Sequence, residues 1–491
     1  MTDQEFLGWL KADAVPRVVL IEAAAQVDGV ETTFYMSTKG GYATFTGEVP
    51  ANEIYHAIAS VGVLYTEQLS VTLDGRLAAG EIEIENINGE RDEWSGYVWA
   101  NRPLRAWVGD PRWPRADFRM IFNGIIADIA PRGSDKLVLK LRDKLQRLNT
   151  PLSDLKLGGL TPQSDALIPL AFGECHNVTP LLIDPAALVY QVHAGPVQSI
   201  FEVRDNGVPV SFTPNVATGT FTLAVQPVGA VTVSLQGDKF DGVYRNTISA
   251  LVQRIVTGFG KAADRFTQDD LDLANLAAFE SNHRQPVGIY LAERTNTLDA
   301  CEALASSVGA QLLMTRLGLL RMIKIALPAV GTPTEVRLEH MVDGVLTPVS
   351  RTDVVGAVRL GFNKNWTVQE GLVTDVSEGH KALFAAEWLT TTKTAPAVQV
   401  AYRLTGEPVQ QDTMLLRRVE TDVEAQRRVD LWSVPRGTHE FEGVPEMLML
   451  DLGDPVTVFH PRFGFEAGRT GMVLTLAPDW LNVHVKVGFI V

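Results

Sequence analysis

The feature that most constrains this chain is a small β pattern that occurs near both of its ends. In the first third the order is Pro103-Leu104-Arg105-Ala106-Trp107-Val108, then Gly124-Ile125-Ile126-Ala127-Asp128-Ile129, then Leu137-Val138-Leu139-Lys140-Leu141. Near the C-terminus it is Pro455-Val456-Thr457-Val458-Phe459, then Gly471-Met472-Val473-Leu474-Thr475-Leu476, then Val483-His484-Val485-Lys486-Val487. Proline to glycine spans 21 residues in the first copy and 16 in the second, and the next step spans 13 and 12. Each copy reads as strand, hairpin, strand, turn, strand. Any two antiparallel meanders share this much, so duplication is an expectation for the structure to test. A repeated β module with no catalytic motif between its copies points to a ring or tube former rather than an enzyme.

At 491 residues the chain is too long for one core. Hydrophobic content of 46% and charged content of 21% are those of a globular protein and argue against disorder. The net charge of −15 disfavours a nucleic-acid-binding surface, which needs clustered Lys and Arg. It suits a surface that DNA passes without sticking. Met1-Thr2-Asp3-Gln4-Glu5 is acidic with no apolar run behind it, unlike a secretory signal. No apolar stretch approaches the ~20 residues of a membrane helix. The alternating C-terminus is compatible with an outer-membrane barrel strand, but without an export signal no stable membrane insertion is expected. The two cysteines, Cys175 and Cys301, are far apart, so no disulfide framework is expected, and Cys301 is read as a core residue on a helix.

Four regions are expected. Residues 1–150 form a first β domain, opening with a helix over 3–12 and containing Glu81-Ile82-Glu83-Ile84-Glu85-Asn86-Ile87, which sets three glutamates opposite three isoleucines. The glutamates read as a solvated face, with the lining of a channel as the functional alternative. Residues 150–170, including Thr161-Pro162, read as a linker; the small inserted all-β domain is 151–245. An α+β domain over 246–330 carries helical spacing at Ile248, Leu251, Val252 and Ile255, a helix through Leu271, Leu273, Leu276 and Phe279, and a helix capped by Asn296-Thr297 that leads into a hairpin over 311–325. Residues 331–491 form a second β domain. It includes expected strands over Val354–Leu360 and Val398–Leu404, and a helix over Val419–Trp432 with Val423, Val429 and Trp432 on its apolar side and Glu420, Glu424, Arg427 and Arg428 elsewhere. The fold class expected is mainly β with an α+β insert, in several domains.

Chemistry-bearing motifs are missing. Gly258-Phe259-Gly260-Lys261-Ala262 has neither the preceding glycine nor the following Ser or Thr of a phosphate loop. Ser153-Asp154-Leu155-Lys156 lacks the companion motifs of penicillin-binding proteins. The nine histidines include no i, i+4 pair, and the adjacent Cys175 and His176 point apart on an extended chain. No catalytic residue, metal site or cofactor is expected, and the chain is expected not to be an enzyme. Trp107, Trp113 and Trp480 are the candidate interface anchors; core packing is the commoner role for any single one of them.

The stretch Leu167-Ile168-Pro169-Leu170-Ala171-Phe172-Gly173-Glu174-Cys175-His176-Asn177-Val178-Thr179-Pro180, with Tyr190-Gln191-Val192-His193 and Val203-Arg204-Asp205-Asn206-Gly207, resembles the central tail-tip or baseplate-hub proteins of tailed bacteriophages. So do Gly288-Ile289-Tyr290, Thr297 to Ala305, Leu452 to Val458 and Gly468 to Leu474. The resemblance is distributed over most of the chain from about residue 80. It implies a homotrimer in which each subunit supplies two related β-barrel-like domains, so that three subunits make a pseudo-sixfold ring between a sixfold tail tube and a threefold tip. Implied partners are the tail tube or distal tail protein, the tape measure protein, tail fibre or tip proteins and passing DNA. The implied location is the distal tail of the virion, assembled in the host cytoplasm. Three copies would carry three times −15, or −45, consistent with a conduit. Some tail-tip relatives hold an iron–sulfur cluster, but two isolated cysteines cannot supply four thiolates. The competing expectation is a particle-bound enzyme or binder acting on cell-envelope polysaccharide.

Overall fold

A computed structural model describes the chain apart from residues 13, 61, 72–78, 160–162 and 373–375; Thr161 and Pro162 of the expected linker therefore lie outside the described residues. The fold is mainly β, with several sheets and seven α-helices among the described residues. The chain divides into two compact units. One comprises Met1–Arg147, Leu313–Thr352 and Pro435–Val491; the other comprises Leu148–Leu312 and Asp353–Val434.

The strands that matter in the first unit are β1 (Val18–Val27), β2 (Val30–Ser37), β3 (Ile54–Ala57), β4 (Leu64–Gln68), β5 (Ala79–Glu85), β6 (Pro103–Gly109), β7 (Arg119–Pro131), β8 (Lys136–Arg142), β9 (Thr334–Val336), β10 (Thr347–Arg351), β11 (Gly437–Gly443), β12 (Pro455–Val458), β13 (Arg469–Asp479) and β14 (His484–Ile490). They belong to one fifteen-stranded sheet. That sheet curls into two barrels, because each end strand turns back onto an earlier one.

In the first barrel the hydrogen-bonded order is β5-β8-β7-β6-β1-β2-β3. The chain leaving β3 then closes the ring: Ala59 bridges Ile84, Ser60 N–H donates to the Glu83 carbonyl at 2.9 Å, and Glu85 N–H donates to the Ile58 carbonyl at 2.8 Å. In the second barrel the order is β11-β14-β13-β12-β9. Here the chain leaving β9 closes it, with Met341 bridging Gly443 and Val444 N–H donating to the His340 carbonyl at 3.1 Å. Inward alternation fills both barrels. Ile21, Ile82, Ile84, Phe122 and Leu139 are buried in the first, and Phe441, Val456, Val473, Val487 and Phe489 in the second. Each such side chain contributes about 1.5–3 kcal/mol relative to exposure.

The second unit centres on a six-stranded sheet whose main path runs Val208–Pro209, Val197–Asp205, Val231–Phe240, Leu170–Val178 and Gly288–Leu291. A separate four-stranded sheet covers Leu181–Asp184, Val189–Gln191, Thr220–Leu223 and Phe212–Asn215. The three expected helices are present as Ile248–Gly258, Leu273–Asn282 and Thr297–Ser306, and Cys301 is fully buried.

Three expectations change. Residues 353–434, expected within the C-terminal β domain, pack into the second unit. The tie is Arg428, whose guanidinium donates to the Ser306 carbonyl at 2.7 Å and to Glu424 at 2.7 Å. The expected strand Val398–Leu404 is a helix, Pro396–Tyr402, because Pro396 supplies a preset helical φ at its first turn and Arg403 ends it in the left-handed region. The helix Arg418–Trp432 is present, and Val429 is buried with Ala425 against Val358 and Leu360 as its apolar side requires, but Val423 is 66% exposed, whereas Glu424 and Arg428 are buried as a hydrogen-bonded pair.

Candidate functional site: the paired barrels

The two barrels are copies of each other strand by strand. β3 to β8 correspond in order to β9 to β14. In both, the first strand pairs in parallel with a neighbour, and the third to sixth lie in the antiparallel order third-sixth-fifth-fourth. The first barrel differs by the β1–β2 hairpin, inserted between β6 and β3 where the second pairs β12 directly with β9.

The correspondence holds residue by residue. Ile125 faces Arg142 and Ile126 faces Leu141, then the register skips one residue to Asp128 facing Lys140. Met472 faces Ile490 and Val473 faces Phe489, then the register skips one residue to Thr475 facing Gly488. The same bulge at the same place makes Ile126 equivalent to Val473 and Pro131 to Pro478. On the other edge Leu104 faces Gly124 as Val456 faces Gly471. Both loops also clasp the bulged strand alike. Asn101 N–H donates to the Ile126 carbonyl at 2.8 Å, and Gly453 N–H to the Val473 carbonyl at 2.9 Å. A bulge at a defined position is a designed feature of a sheet, not noise.

This register corrects one detail of the expected alignment. Leu137 is equivalent to Val485, not Val483, since both lie opposite the matching prolines. A two-residue slip leaves the inside-outside alternation intact, so periodicity could not reveal it.

The acids of β5 are also duplicated. Glu81 and Glu83 correspond to Glu440 and Glu442. Glu81 pairs with Arg132 at 2.7 Å, and Glu83 pairs with Lys136; Glu440 pairs with Lys486 at 2.9 Å, and Glu442 lies 3.3 Å from His484, the equivalent of Lys136. Hydrogen bonds from Arg132 and Lys136 hold the carboxyls of Glu81 and Glu83 below the usual range. The expected glutamate row therefore exists, with a row of bases beside it. Of the three isoleucines, Ile82 and Ile84 are buried and Ile87 is exposed beyond the strand end.

The barrels are joined through β4, which caps β13 beyond the end of β12. Gln68 faces Thr475, Glu67 faces Leu476, and Leu69 N–H donates to the Leu474 carbonyl at 2.8 Å. Glu67 is 4% exposed at this joint. It accepts the Arg316 backbone N–H at 2.6 Å and the Arg316 guanidinium at 3.3 Å, and Arg316 also reaches Asp451 at 3.3 Å. Burial pushes the Glu67 carboxyl up, against the opposing pull of Arg316. Sequence reading missed this pair because Arg316 is 249 residues away.

The three tryptophans singled out from sequence are not brought together as exposed anchors. Trp107 is 8% exposed, under the Arg115 guanidinium at 3.9 Å. Trp480 is 5% exposed and packs against Phe6 at 6.5 Å. Trp113 is half-buried against Trp9 at 4.6 Å. Their apolar bulk is used in the core of the first unit.

In the second unit Asp238 is buried between His193 Nε2 at 3.4 Å and the Arg254 guanidinium at 2.9 Å, while His193 Nδ1 accepts the Ala171 N–H at 3.0 Å. Burial raises the Asp238 carboxyl, but the hydrogen bonds from His193 and Arg254 outweigh it and leave it lowered. The triad locks strands together. Among the described residues no group of His, Cys, Asp and Glu is placed to hold a metal.

No protein-family model matches the chain, and no curated protein matches it. Solved structures do. The 43 kDa tail protein of prophage MuSo2 from Shewanella oneidensis is 10% identical over 97% of this chain and 98% of its own, with a TM-score of 0.41. A chain of the native gene transfer agent virion is 12% identical over 71% of this chain and 91% of its own, with a TM-score of 0.46. Prophage tail protein gp18 from Listeria monocytogenes EGD-e is 8% identical over 96% and 94%, with a TM-score of 0.40. These three solved structures are thus two tail proteins of prophages and a chain of a gene transfer agent virion.

Proposed function

We propose that this chain is a structural protein of a phage or phage-like tail, acting as a homotrimeric hub at the distal end. The observation that carries this reading is the repeat of one six-strand module, closed into a barrel each time, within a single sheet and with identical bulge register. A chain with two equivalent barrels supplies six equivalent positions from three copies, which is what a threefold part needs in order to sit on a sixfold tube. The net charge of −15 per chain fits a conduit that DNA crosses without binding. On this reading the barrels face the tail tube or distal tail protein. The hub holds the tape measure terminus, anchors fibre or tip proteins and opens for DNA ejection. Its role is mechanical rather than enzymatic, and it joins the virion during assembly in the host cytoplasm.

Native mass spectrometry of the purified chain tests this. A stable species of three chain masses is expected. A chain that stays monomeric in the presence of tail tube protein while turning over envelope glycan overturns the hub in favour of a polysaccharide-acting protein.

A further inference from the structure

The joint between the two barrels of one chain has a counterpart whose two halves have no strand seated on them among the described residues. By register β4 corresponds to β10: Leu64 faces Glu81 as Thr347 faces Glu440, Tyr65 faces Gly80 as Pro348 faces His439, and Thr66 faces Ala79 as Ser350 faces Thr438. Val349 is an extra residue in β10, so Glu67 and Gln68 correspond to Arg351 and Thr352. On the receiving side β13 corresponds to β7, and Thr475 and Leu476 correspond to Asp128 and Ile129.

Within the chain Gln68 and Glu67 are seated on Thr475 and Leu476. Among the described residues their counterparts have no such neighbour. Every residue of β10 is exposed, and among the described residues its strand partner is β11 alone. Pro348 offers no backbone donor, which blunts this edge ahead of the joint residues. Among the described residues, no backbone hydrogen bond outside the strand pairings reaches 127–131. Asp128 is exposed, and its carboxylate takes the Ile129 N–H at 2.9 Å.

We propose that these two edges belong together across a subunit boundary. The end of β10 at Arg351, with Thr352 just after it, in one copy caps β7 at Asp128 and Ile129 of the next copy, as β4 caps β13 inside the chain. The occupant is a second copy of this chain, because the intramolecular joint already shows the matching edge seated on its partner. This inference rests on the ring reading and adds the contact by which the ring closes. One joint then serves every barrel-to-barrel step, alternately within and between chains, and three copies leave no edge open.

Cysteine pairing tests it. The bond from Leu69 to Leu474 makes Gln68 and Thr475 the non-hydrogen-bonded pair of the joint, the spacing at which facing residues approach most closely and a disulfide fits. The corresponding substitutions are Thr352→Cys and Asp128→Cys. The native Cys175 and Cys301 are fully buried and leave the background low. Under mild oxidation the double variant should run as a covalent three-chain species on a non-reducing gel. A mixture of the two single variants should stop at two chains, and either single variant alone should stay uncrosslinked. A wild type that is trimeric by native mass, with a folded double variant that gives no crosslink, overturns this joint and leaves the hub standing. A chain that neither trimerises nor crosslinks overturns both.

Discussion

Gly124 and Gly471, 347 positions apart in the chain, occupy the same place in the two barrels. A Cβ on Gly124 would lie 2.8 Å from the Arg142 carbonyl oxygen, and one on Gly471 would lie 2.3 Å from the carbonyl oxygen of Ile490. Arg142 and Ile490 are themselves equivalent. The barrels thus require glycine for one and the same reason, a backbone approach too close for any side chain.

Gly471→Ala should therefore destabilise the first unit by about 1–3 kcal/mol, the ordinary cost of overpacking. The second unit, with its own core, should keep its transition. Thermal unfolding followed with a probe in each unit checks this; equal shifts in both transitions would contradict it.

Glu67→Ala should cost about 1.5–3 kcal/mol, because the largely buried Arg316 guanidinium loses its buried carboxylate and keeps only the more exposed Asp451 at 3.3 Å. Replacing both together, as Glu67→Leu with Arg316→Met, should cost less than the single change, since no unpaired charge remains. Urea unfolding of the two variants separates these outcomes.

Glu424→Gln should loosen the insertion 353–434 from the rest of its unit. Glu424 accepts from both Arg427 and Arg428, each at 2.7 Å, and Arg428 in turn holds the Ser306 carbonyl. Loss of the carboxylate charge should cost about 1.5–3 kcal/mol. Faster proteolysis near 353 and 434, with 148–312 still resistant, is the expected signature.

His439 gives the first unit a mild acid sensitivity. Its ring lies among Phe463, Phe465 and Phe489, and burial, reinforced by Arg469, holds its pKa below the usual value. The unfolded chain then takes up the proton first, near pH 6.5. The histidine's contribution is fully present above that pH and declines as the pH falls through it toward the lower folded value. The paired carboxylates lose their contribution at lower pH, so the two effects are separable. Unfolding midpoints between pH 7.5 and 5.5 should fall for the wild type and flatten for His439→Phe.

Sequence periodicity by itself determined much of this protein. Alternation at Ile82, Ile84, Val456 and Val458 set strands with one face inward, because a strand's side chains alternate with period two and burial rewards only one phase. Helical spacing and the Asn296-Thr297 cap marked the Thr297–Ser306 helix, and the paired Pro–Gly–strand pattern exposed the repeat. Other features were settled only by tertiary structure. The two-residue offset at Leu137 and Val485 is invisible to a period of two. The burial of Glu424 and Arg428 depends on the Ser306 carbonyl, which accepts from Arg428, and the Glu67–Arg316 pair joins residues far apart in sequence. Whether Trp107, Trp113 and Trp480 serve as anchors or as core was open in the sequence, because bulk alone does not say which way a side chain faces. The barrel joint, with its counterpart at Thr352 and Asp128, is a relation between strand edges. Backbone edges carry no residue signature, so only the folded sheet could decide which edges meet and which remain open.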